Sequence, residues 1–227
     1  MTSTPQHSGP GDGELLDAPE NEIDEEATEL VCRRYDRLAR FYDIIQSPME
    51  MRAHRWRQIL WDRVEGTTIL EVGAGTGANF PYYGDQQDVT ATDISPRMLE
   101  IAGKQAAEQG VDVTLEIADV QRLPYGDESF DTVVATFLFC SVPDPVRGLR
   151  ELRRVLKPGG KLLLMEHVLT EKPVLRLLMR LFDPIASRVW GAHISRQTVD
   201  NVRRAGFEQV EDTDLSLDIV KLIEARA

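Results

Sequence analysis

The chain has 227 residues, of which 42% are hydrophobic and 28% charged, and its formal net charge is −12. This length and composition are typical of one soluble globular domain with extensions. Because binding to nucleic acid requires a cationic surface, the acidic balance argues against a nucleic-acid partner.

The acidity is concentrated near the N-terminus. Residues 1–32 contain nine acidic residues and no Lys or Arg, which leaves 29 acidic against 26 basic residues in the rest of the chain. Such a polar, proline-containing segment cannot bury enough apolar surface to offset the entropy of ordering it. We therefore predict a disordered acidic leader over residues 1–27. An interaction arm is the alternative interpretation.

Nothing in the sequence indicates export or membrane insertion. The N-terminus lacks the basic and apolar regions of a signal peptide, and no apolar run approaches about 18 residues. Cys32 and Cys140 are too few and too far apart for a disulfide framework, which fits a reducing compartment. We expect a cytoplasmic protein that acts as a monomer.

Helical spacing begins directly after the leader. Tyr35, Leu38, Ala39 and Tyr42 fall on one face of a helix, because side chains three, four and seven residues apart share a face. We predict that residues 28–64 form a helical lid in which Pro48 separates two helices.

Strands and helices alternate from there to the end of the chain. The predicted strands are 67–72, 88–92, 112–117, 130–136 and 161–166; the predicted helices are 78–83, 95–109, 144–156 and 196–204; a turn is expected at 157–160, and strands 207–213 and 217–225 close the chain. This order predicts an α/β fold: a Rossmann-like, doubly wound, mainly parallel seven-stranded sheet with a C-terminal antiparallel hairpin.

The first strand ends in a glycine-rich loop. Three alternating glycines, Gly73, Gly75 and Gly77, are typical of backbone that approaches a ligand closely. Asp93 ends the next strand, where the ribose of a nucleotide lies in a doubly wound sheet. Ala78 completes a G-x-G-x-x-A pattern, so an NAD(P)-dependent oxidoreductase is the alternative. Glu71 opposes it, because an acid beside a pyrophosphate is repelled.

Further motifs show a family resemblance. The chain contains, in this order, the motifs Glu71–Gly77, Asp93, Ala118–Val120, Leu123-Pro124, Phe130-Asp131 and Leu156–Gly160. With these motifs the chain resembles the class I S-adenosylmethionine-dependent methyltransferases, and within them the methyltransferase-11 group, which includes phosphatidylethanolamine, ubiquinone/menaquinone and alkyl-thiol methyltransferases. Leu138–Val142 and Met165–His167 favour the phosphatidylethanolamine and thiol subgroups.

The resemblance implies S-adenosyl-L-methionine as cofactor. The glycine loop would contact its methionyl part, and Glu71 would sit near its amino group, directly or through water. Asp93 would accept both ribose hydroxyls, and Asp119 and Val120 would bind the adenine. Asp131 is expected to tether the glycine-rich region or cap a turn. The implied cofactor-binding residues are Glu71, Gly73, Ala74, Gly75, Gly77, Asp93, Ile94, Asp119 and Val120.

Candidates for a role in catalysis are few. Tyr35 and Tyr42 would line the sulfonium with ring faces or hydroxyls, or else pack the helix on the core. His167 and His193 are candidate bases, or structural histidines. Cys140 is interpreted as a core thiol, because methyl transfer needs no covalent enzyme intermediate. No Cys/His spacing indicates a metal.

Residues 173–192 form an amphipathic insert. Its apolar face lies beside several arginines, which predicts either a lid over the acceptor pocket or an interfacial helix that meets anionic lipid. We expect a small-molecule or lipid acceptor, of which a phosphatidylethanolamine-type amine is the leading candidate and a thiol or a quinone the alternative. Peripheral membrane contact would follow from a lipid acceptor. A non-enzymatic, partner-binding subunit of the same fold is a further alternative.

Overall fold

A computed structural model of the protein describes residues 22–170, 172–174, 176–177, 179, 181, 197–216 and 218–227. For residue 41 and residues 43–52 only the backbone is described. The predictions for residues 1–21, for His193 and for most of the 173–192 insert lie outside the described residues.

A mixed seven-stranded sheet forms the centre of the fold. Its strands follow the order β3-β2-β1-β4-β5-β7-β6, in which the first five are parallel and β7 runs antiparallel to both β5 and β6. The prediction of a doubly wound sheet that ends in an antiparallel hairpin is confirmed. The strands are β1 (Thr68–Val72), β2 (Asp88–Asp93), β3 (Thr114–Ile117), β4 (Phe130–Thr136), β5 (Leu156–His167), β6 (Glu208–Ser216) and β7 (Val220–Arg226).

Helices cover both faces of the sheet. They are α1 (Glu25–Trp61), α2 (Pro96–Gln109), α3 (Pro145–Val155) and α4 (Thr198–Arg204), with a 3-10 turn at Phe80–Tyr82. One apolar cluster joins the sheet to α3 and α4, and two others join its opposite face to the end of α1 and to α2. Strand order reverses at β1, so the carboxyl ends of β1, β2 and β4 open into the crevice where α/β proteins bind ligands.

Side chains fix the first turns of the helices. The Ser95 hydroxyl accepts a hydrogen bond from the Met98 N–H, and the Asp144 carboxylate does the same for the Arg147 N–H at the start of α3. Both α2 and α3 begin with a proline, whose fixed φ suits the first helical position. These caps orient the start of each helix at the same edge of the sheet as the crevice.

The structure corrects the prediction for the N-terminal helix in two places. Helix α1 begins at Glu25 with Asp24 as its N-cap, so residues 25–27 are helical rather than part of a disordered leader. The predicted break at Pro48 was wrong, since α1 runs through it without interruption. Proline locks φ at a helical value, so the backbone continues at the loss of one hydrogen bond.

The predicted turn at 157–160 lies inside a strand. Leu156 pairs with Phe130 and Lys161 with Thr132, so four residues of β5 bulge out between pairs that are two residues apart on β4. Gly159 adopts a positive φ of 72° within this bulge. The turn residues are therefore where the sequence places them, but β5 begins at Leu156 instead of residue 161.

Candidate active site

The carboxyl ends of the parallel strands open into a cavity with about 690 Å³ of empty space, part of it open to solvent. Six of the nine predicted cofactor residues line it, as do two of the four catalytic candidates: Gly73, Gly75, Asp93, Ile94, Asp119, Val120, Tyr35 and Tyr42.

The glycine loop needs its glycines for two different reasons. Gly73 and Gly75 line the cavity with φ values of 72° and 59°, in the region that residues with a Cβ rarely adopt. Gly77 also has a positive φ, of 95°, but it does not line the cavity; a Cβ there would lie 2.4 Å from the Phe80 ring. The third glycine therefore permits close packing beneath the loop, and Ala74 is likewise buried in the core.

Asp93 is held in place by backbone donors. Its carboxylate oxygens accept the N–H of Gly75 at 2.9 Å and the N–H of Ser95 at 2.8 Å. Burial raises the pKa of Asp93, while these two hydrogen bonds act in the opposite direction. A carboxylate has about four acceptor positions, so Asp93 can accept further hydrogen bonds from a ligand in the cavity.

Asp119 and Val120 form the opposite wall of the cavity. Both oxygens of Asp119 lie within hydrogen-bond distance of the Gln121 Nε2, at 3.2 and 3.1 Å. The Gln121 side chain also donates to Thr28 on α1 and accepts the Asp144 N–H at the start of α3. Gln121 thus joins three elements around the site, a role that sequence reasoning did not assign to it.

Glu71 lies in the protein interior near the end of β1. It is 1% exposed and does not line the cavity. Its carboxylate accepts hydrogen bonds from the Asn79 Nδ2, at 2.6 Å, and from the Tyr83 hydroxyl. Burial raises the pKa of Glu71 despite these donors and the nearby Arg57 cation. The acid at this motif position supports the glycine loop from below.

Arg57 completes this buried network. It is 4% exposed and donates to Asn79 at 2.7 Å and to Thr136 at 3.0 Å. Its guanidinium lies 5.9 Å from the centre of the Phe137 ring, within the range of a cation–π contact. The far half of α1 is thereby joined to the glycine loop and to the end of β4.

Two tyrosines of α1 cover the cavity, as their spacing predicted. The Tyr35 hydroxyl lies 2.6 Å from the Ser141 Oγ, and the Tyr35 and Tyr42 rings meet edge to face with centroids 6.2 Å apart. Burial raises the pKa of Tyr35, so its hydroxyl stays protonated at neutral pH. It can donate or accept a hydrogen bond but cannot serve as a base there.

Near Tyr35, the helix is joined to the start of α2. The Cys32 thiol donates to the Ile94 carbonyl at 3.3 Å, and Asp36 accepts the Ser95 hydroxyl at 2.6 Å. Both contacts flank Asp93, so α1 closes directly over the end of β2. The lid is therefore an integral wall of the site.

The remaining candidates do not meet the cavity in the described residues. His167 stacks on Phe137, with ring centroids 4.7 Å apart, and burial lowers its pKa. It does not line the cavity. Cys140 is 7% exposed, and its thiol donates to the Phe137 carbonyl, in agreement with a core thiol. His193 lies outside the described residues.

The segment after β4 lines the cavity, although in the sequence analysis only Leu138–Val142 of this segment were named, and only for family resemblance. Phe137, Leu138, Ser141, Val142 and Pro143 all line the cavity. Phe137 has a φ of 54°, an uncommon conformation for a residue with a Cβ. The position of these residues in the sequence could have identified them as cavity residues, because residues that follow a central parallel strand reach the crevice.

The described residues of the insert turn apolar side chains to solvent. Positions 173, 174, 176, 177, 179 and 181 are helical. Val174, Leu177 and Leu181 are 74%, 59% and 63% exposed, whereas Met179 is 9% exposed. Spacings of three, four and seven place the exposed three on one face.

Comparison with known proteins identifies the family. Residues 70–164 match the model of a methyltransferase domain. The chain is 36% identical over 146 residues to a phosphatidylethanolamine N-methyltransferase from Cereibacter sphaeroides, a match that spans 63% of this chain and 71% of the relative. The chain belongs to the class I S-adenosylmethionine-dependent methyltransferases. The oxidoreductase alternative is thereby set aside, and the cofactor is S-adenosyl-L-methionine.

Other relatives of this methyltransferase act on different acceptors. It is 35% identical over 149 residues to a thiol S-methyltransferase from Rattus norvegicus, covering 63% of this chain and 61% of the relative. The chain is 30% identical over 230 residues to a ubiquinone/menaquinone biosynthesis C-methyltransferase from Shewanella woodyi, a match that spans 88% of this chain and 91% of the relative. The family is therefore clear, and the acceptor is not determined by likeness.

A solved structure with the same fold comes from Thermotoga maritima. This S-adenosylmethionine-dependent methyltransferase, described as a possible histamine N-methyltransferase, superposes with a TM-score of 0.66 at 22% identity, over 86% of this chain and 98% of its own. At this identity the likeness shows the fold alone. In the described part of the methyltransferase, no helix combines the length and hydropathy that a membrane span requires.

Proposed function

We propose that the protein methylates the amine of a lipophilic acceptor of the phosphatidylethanolamine type, which it meets at a membrane surface. The observation that carries the proposal is the outward apolar face of the insert, formed by Val174, Leu177 and Leu181. A lid that only closed a pocket would turn such residues inward, because exposed apolar area is unfavourable in water.

The cavity residues fit the donor. S-Adenosylmethionine, when bound, supplies a methyl group activated by a positively charged sulfonium. We assign the ribose hydroxyls to Asp93, whose carboxylate is fixed by two backbone donors and has acceptor capacity left. Val120, Ile94 and Met98 provide apolar surface beside Asp119, which suits an adenine ring with an exocyclic amine.

Glu71 has a supporting role in this assignment. Because Asn79 and Tyr83 occupy its oxygens, it shapes the glycine loop instead of binding the amino group of the cofactor directly. The loop then presents the backbone of Gly73 and Gly75 to the methionyl part.

We assign the acceptor to the part of the cavity lined by Tyr35, Tyr42 and Ser141. This part suits an amine that gains positive charge as it is methylated. The faces of Tyr35 and Tyr42 attract cations through their ring quadrupoles. The Tyr35 hydroxyl, hydrogen-bonded to Ser141, can orient an amine but stays protonated near neutral pH. An ammonium must therefore lose its proton to solvent or to a group other than Tyr35 before it attacks. These groups align the acceptor and exclude water, which is the main requirement of the reaction.

Methyl transfer into defined acceptors tests the proposal. The protein is incubated with methyl-labelled S-adenosylmethionine and with vesicles of phosphatidylethanolamine and an anionic phospholipid, an alkyl thiol, or a demethylated quinol. We expect label in the amine lipid. Label only in the thiol or the quinol would reject the amine and identify one of the two alternatives instead.

Vesicle co-sedimentation tests the membrane part separately. We expect binding to anionic vesicles that weakens as salt rises, because charge attraction is screened. The double variant Leu177→Ser/Leu181→Ser should bind less, with unchanged affinity for S-adenosylhomocysteine. Ile117→Ser is the matched control, since Ile117 is 61% exposed elsewhere on the surface. Absence of binding at low salt would reject the membrane surface.

A further inference from the structure

Glu166 is a fully buried acid that the proposed mechanism does not use. It lies on β5 beside the end of β4 and is 0% exposed. One oxygen, Oε1, accepts the consecutive backbone N–H groups of Leu138 and Phe139 at 2.8 and 2.9 Å. The other oxygen, Oε2, is buried without a hydrogen-bond partner in the described part of the chain. Glu166 thus anchors the segment that follows β4.

That segment contacts both halves of the site. The Leu138 side chain fills the space beside Gly73, where a Cβ would lie 2.8 Å from the Leu138 Cδ1. Three residues further on, Ser141 holds the Tyr35 hydroxyl of the lid. A displacement of the 138–141 backbone would therefore move the support of the glycine loop and the partner of Tyr35 together.

We propose that Glu166 is a positioning residue that acts as a neutral carboxylic acid, holding the Leu138–Phe139 backbone so that the cofactor loop and Tyr35 keep their geometry. This inference rests on methyl transfer from S-adenosylmethionine and is independent of the acceptor proposed above.

The surroundings favour the neutral form. Burial raises the pKa of Glu166 to about 8, even though its two N–H donors act to lower it. The residue opposite Glu166 on β7 is Lys221, whose ammonium pairs with Asp212 and Asp214 on β6. A buried carboxylate without a close cation is strongly disfavoured and takes up a proton instead.

In the described part of the chain, the other ionisable groups around Glu166 do not supply a charge. On its own strand, His167 follows Glu166, stacks on Phe137 and has a lowered pKa. Cys140, in the anchored segment, donates to a backbone carbonyl. The ionisable residues of α4 are exposed to solvent: Asp200, Arg203 and Arg204. On α3, Arg150 and Arg153 are exposed, Arg147 and Arg154 donate to backbone carbonyls, and Glu151 pairs with Arg154.

Three variants at pH 7 test the proposal through the affinity for S-adenosylhomocysteine, measured by calorimetry on the full chain. Glu166→Gln keeps an acceptor oxygen without charge and should bind within about twofold of wild type. Glu166→Leu removes the acceptor and should bind at least about tenfold more weakly, since two buried N–H groups lose their partner. Leu164→Ala is the matched control: Leu164 is 0% exposed on the same face of β5, so this variant should lose stability but keep its affinity.

A pH series provides a second readout that a purely structural role would not change. Wild-type affinity should fall as pH rises through about 8, and Glu166→Gln should show no such step. The comparison of these two pH profiles tests the proposal even if Glu166→Leu does not fold. The proposal is overturned if Glu166→Gln binds as weakly as Glu166→Leu, if Glu166→Leu binds normally, or if the wild-type and Glu166→Gln pH profiles coincide.

Discussion

The hydroxyl of Tyr35 lies 2.6 Å from the Oγ of Ser141, a hydrogen bond between residues 106 positions apart in the chain. It joins the lid helix α1 to the segment after β4, and both residues line the cavity. This hydroxyl pair therefore links the lid to the segment after β4, and a double-mutant cycle can measure its contribution.

We expect Tyr35→Phe and Ser141→Ala each to reduce turnover, because each removes the same hydrogen bond. A neutral hydrogen bond contributes about 0.5–1.5 kcal/mol net, so each single variant should lose a few-fold in turnover and the double variant should be about as active as either single variant. Turnover and the Kd for S-adenosylhomocysteine are measured for all four proteins. Fully additive losses would show that the two hydroxyls act independently.

Gly73→Ala should weaken cofactor binding and lower the melting temperature. A residue with a Cβ is strained at the backbone φ of 72°, and the added Cβ would lie only 2.8 Å from the Leu138 Cδ1. Gly159→Ala is a matched control, since Gly159 has the same φ of 72° with nothing within 4 Å of its Cβ. Left-handed backbone costs about 1–2 kcal/mol in both variants. Only Gly73→Ala should change cofactor affinity, and equal effects would mean that the Leu138 contact is unimportant.

Asp93→Ala should weaken S-adenosylmethionine binding by about 2–4 kcal/mol, because charge-assisted hydrogen bonds to the ribose are lost. Its N–H donors on Gly75 and Ser95 would also lose their acceptor. Asp88→Asn, at the exposed opposite end of β2, serves as the control and should bind normally in calorimetry. Unchanged affinity in a folded Asp93→Ala protein would remove Asp93 from the site.

Asp131 should contribute stability that depends on pH. It accepts the N–H groups of Thr67 and Thr68 at the start of β1 and pairs with Lys157, and these contacts lower its pKa to about 2. A folded-state pKa below the unfolded value of about 3.9 stabilises the protein above that value, and this contribution disappears as pH falls through about 2.

The melting temperatures of wild type and Asp131→Asn should therefore differ most at pH 5–7 and converge toward pH 2–3. Asp112→Asn changes an exposed acid at the same edge of the sheet and should show a small difference that does not vary in this way. A difference for Asp131→Asn that stays constant over the whole range would contradict the assigned pKa.

Two N-terminal deletions should behave differently. Removing residues 1–21 should leave the melting temperature and cofactor affinity intact, because a charged, proline-containing segment buries little apolar surface. Removing residues 1–27 also deletes Asp24, which caps α1 by accepting the Ala27 N–H. Loss of an N-cap costs about 0.5–2 kcal/mol, so this deletion should lower the melting temperature by several degrees. A similar drop with the shorter deletion would show that the leader docks on the domain.

Much of the fold was predictable because local sequence patterns specify its strands, loops and helix ends. Alternating glycines, strand-length apolar runs and cap residues act over a few neighbours, and they placed the strands within about three residues apart from the start of β5. Pro48 was misjudged because a proline weakens a helix only by a local amount. Helix α1 is instead held by tertiary contacts on both sides of Pro48, by Thr28 near Gln121 and by Arg57 near Thr136.

The sequence by itself determined the class of the protein: the doubly wound sheet, the glycine loop, Asp93 at the end of β2 and S-adenosylmethionine as cofactor. Only the tertiary structure decided that Glu71 faces inward to Asn79 and Tyr83. It also decided that Leu138 packs beside Gly73. The same is true of Glu166, which accepts the N–H groups of Leu138 and Phe139. Sequence patterns report the conformation and burial that a residue prefers. Which distant group becomes its partner is set when the elements pack together, because burial without a partner costs more than most local preferences contribute.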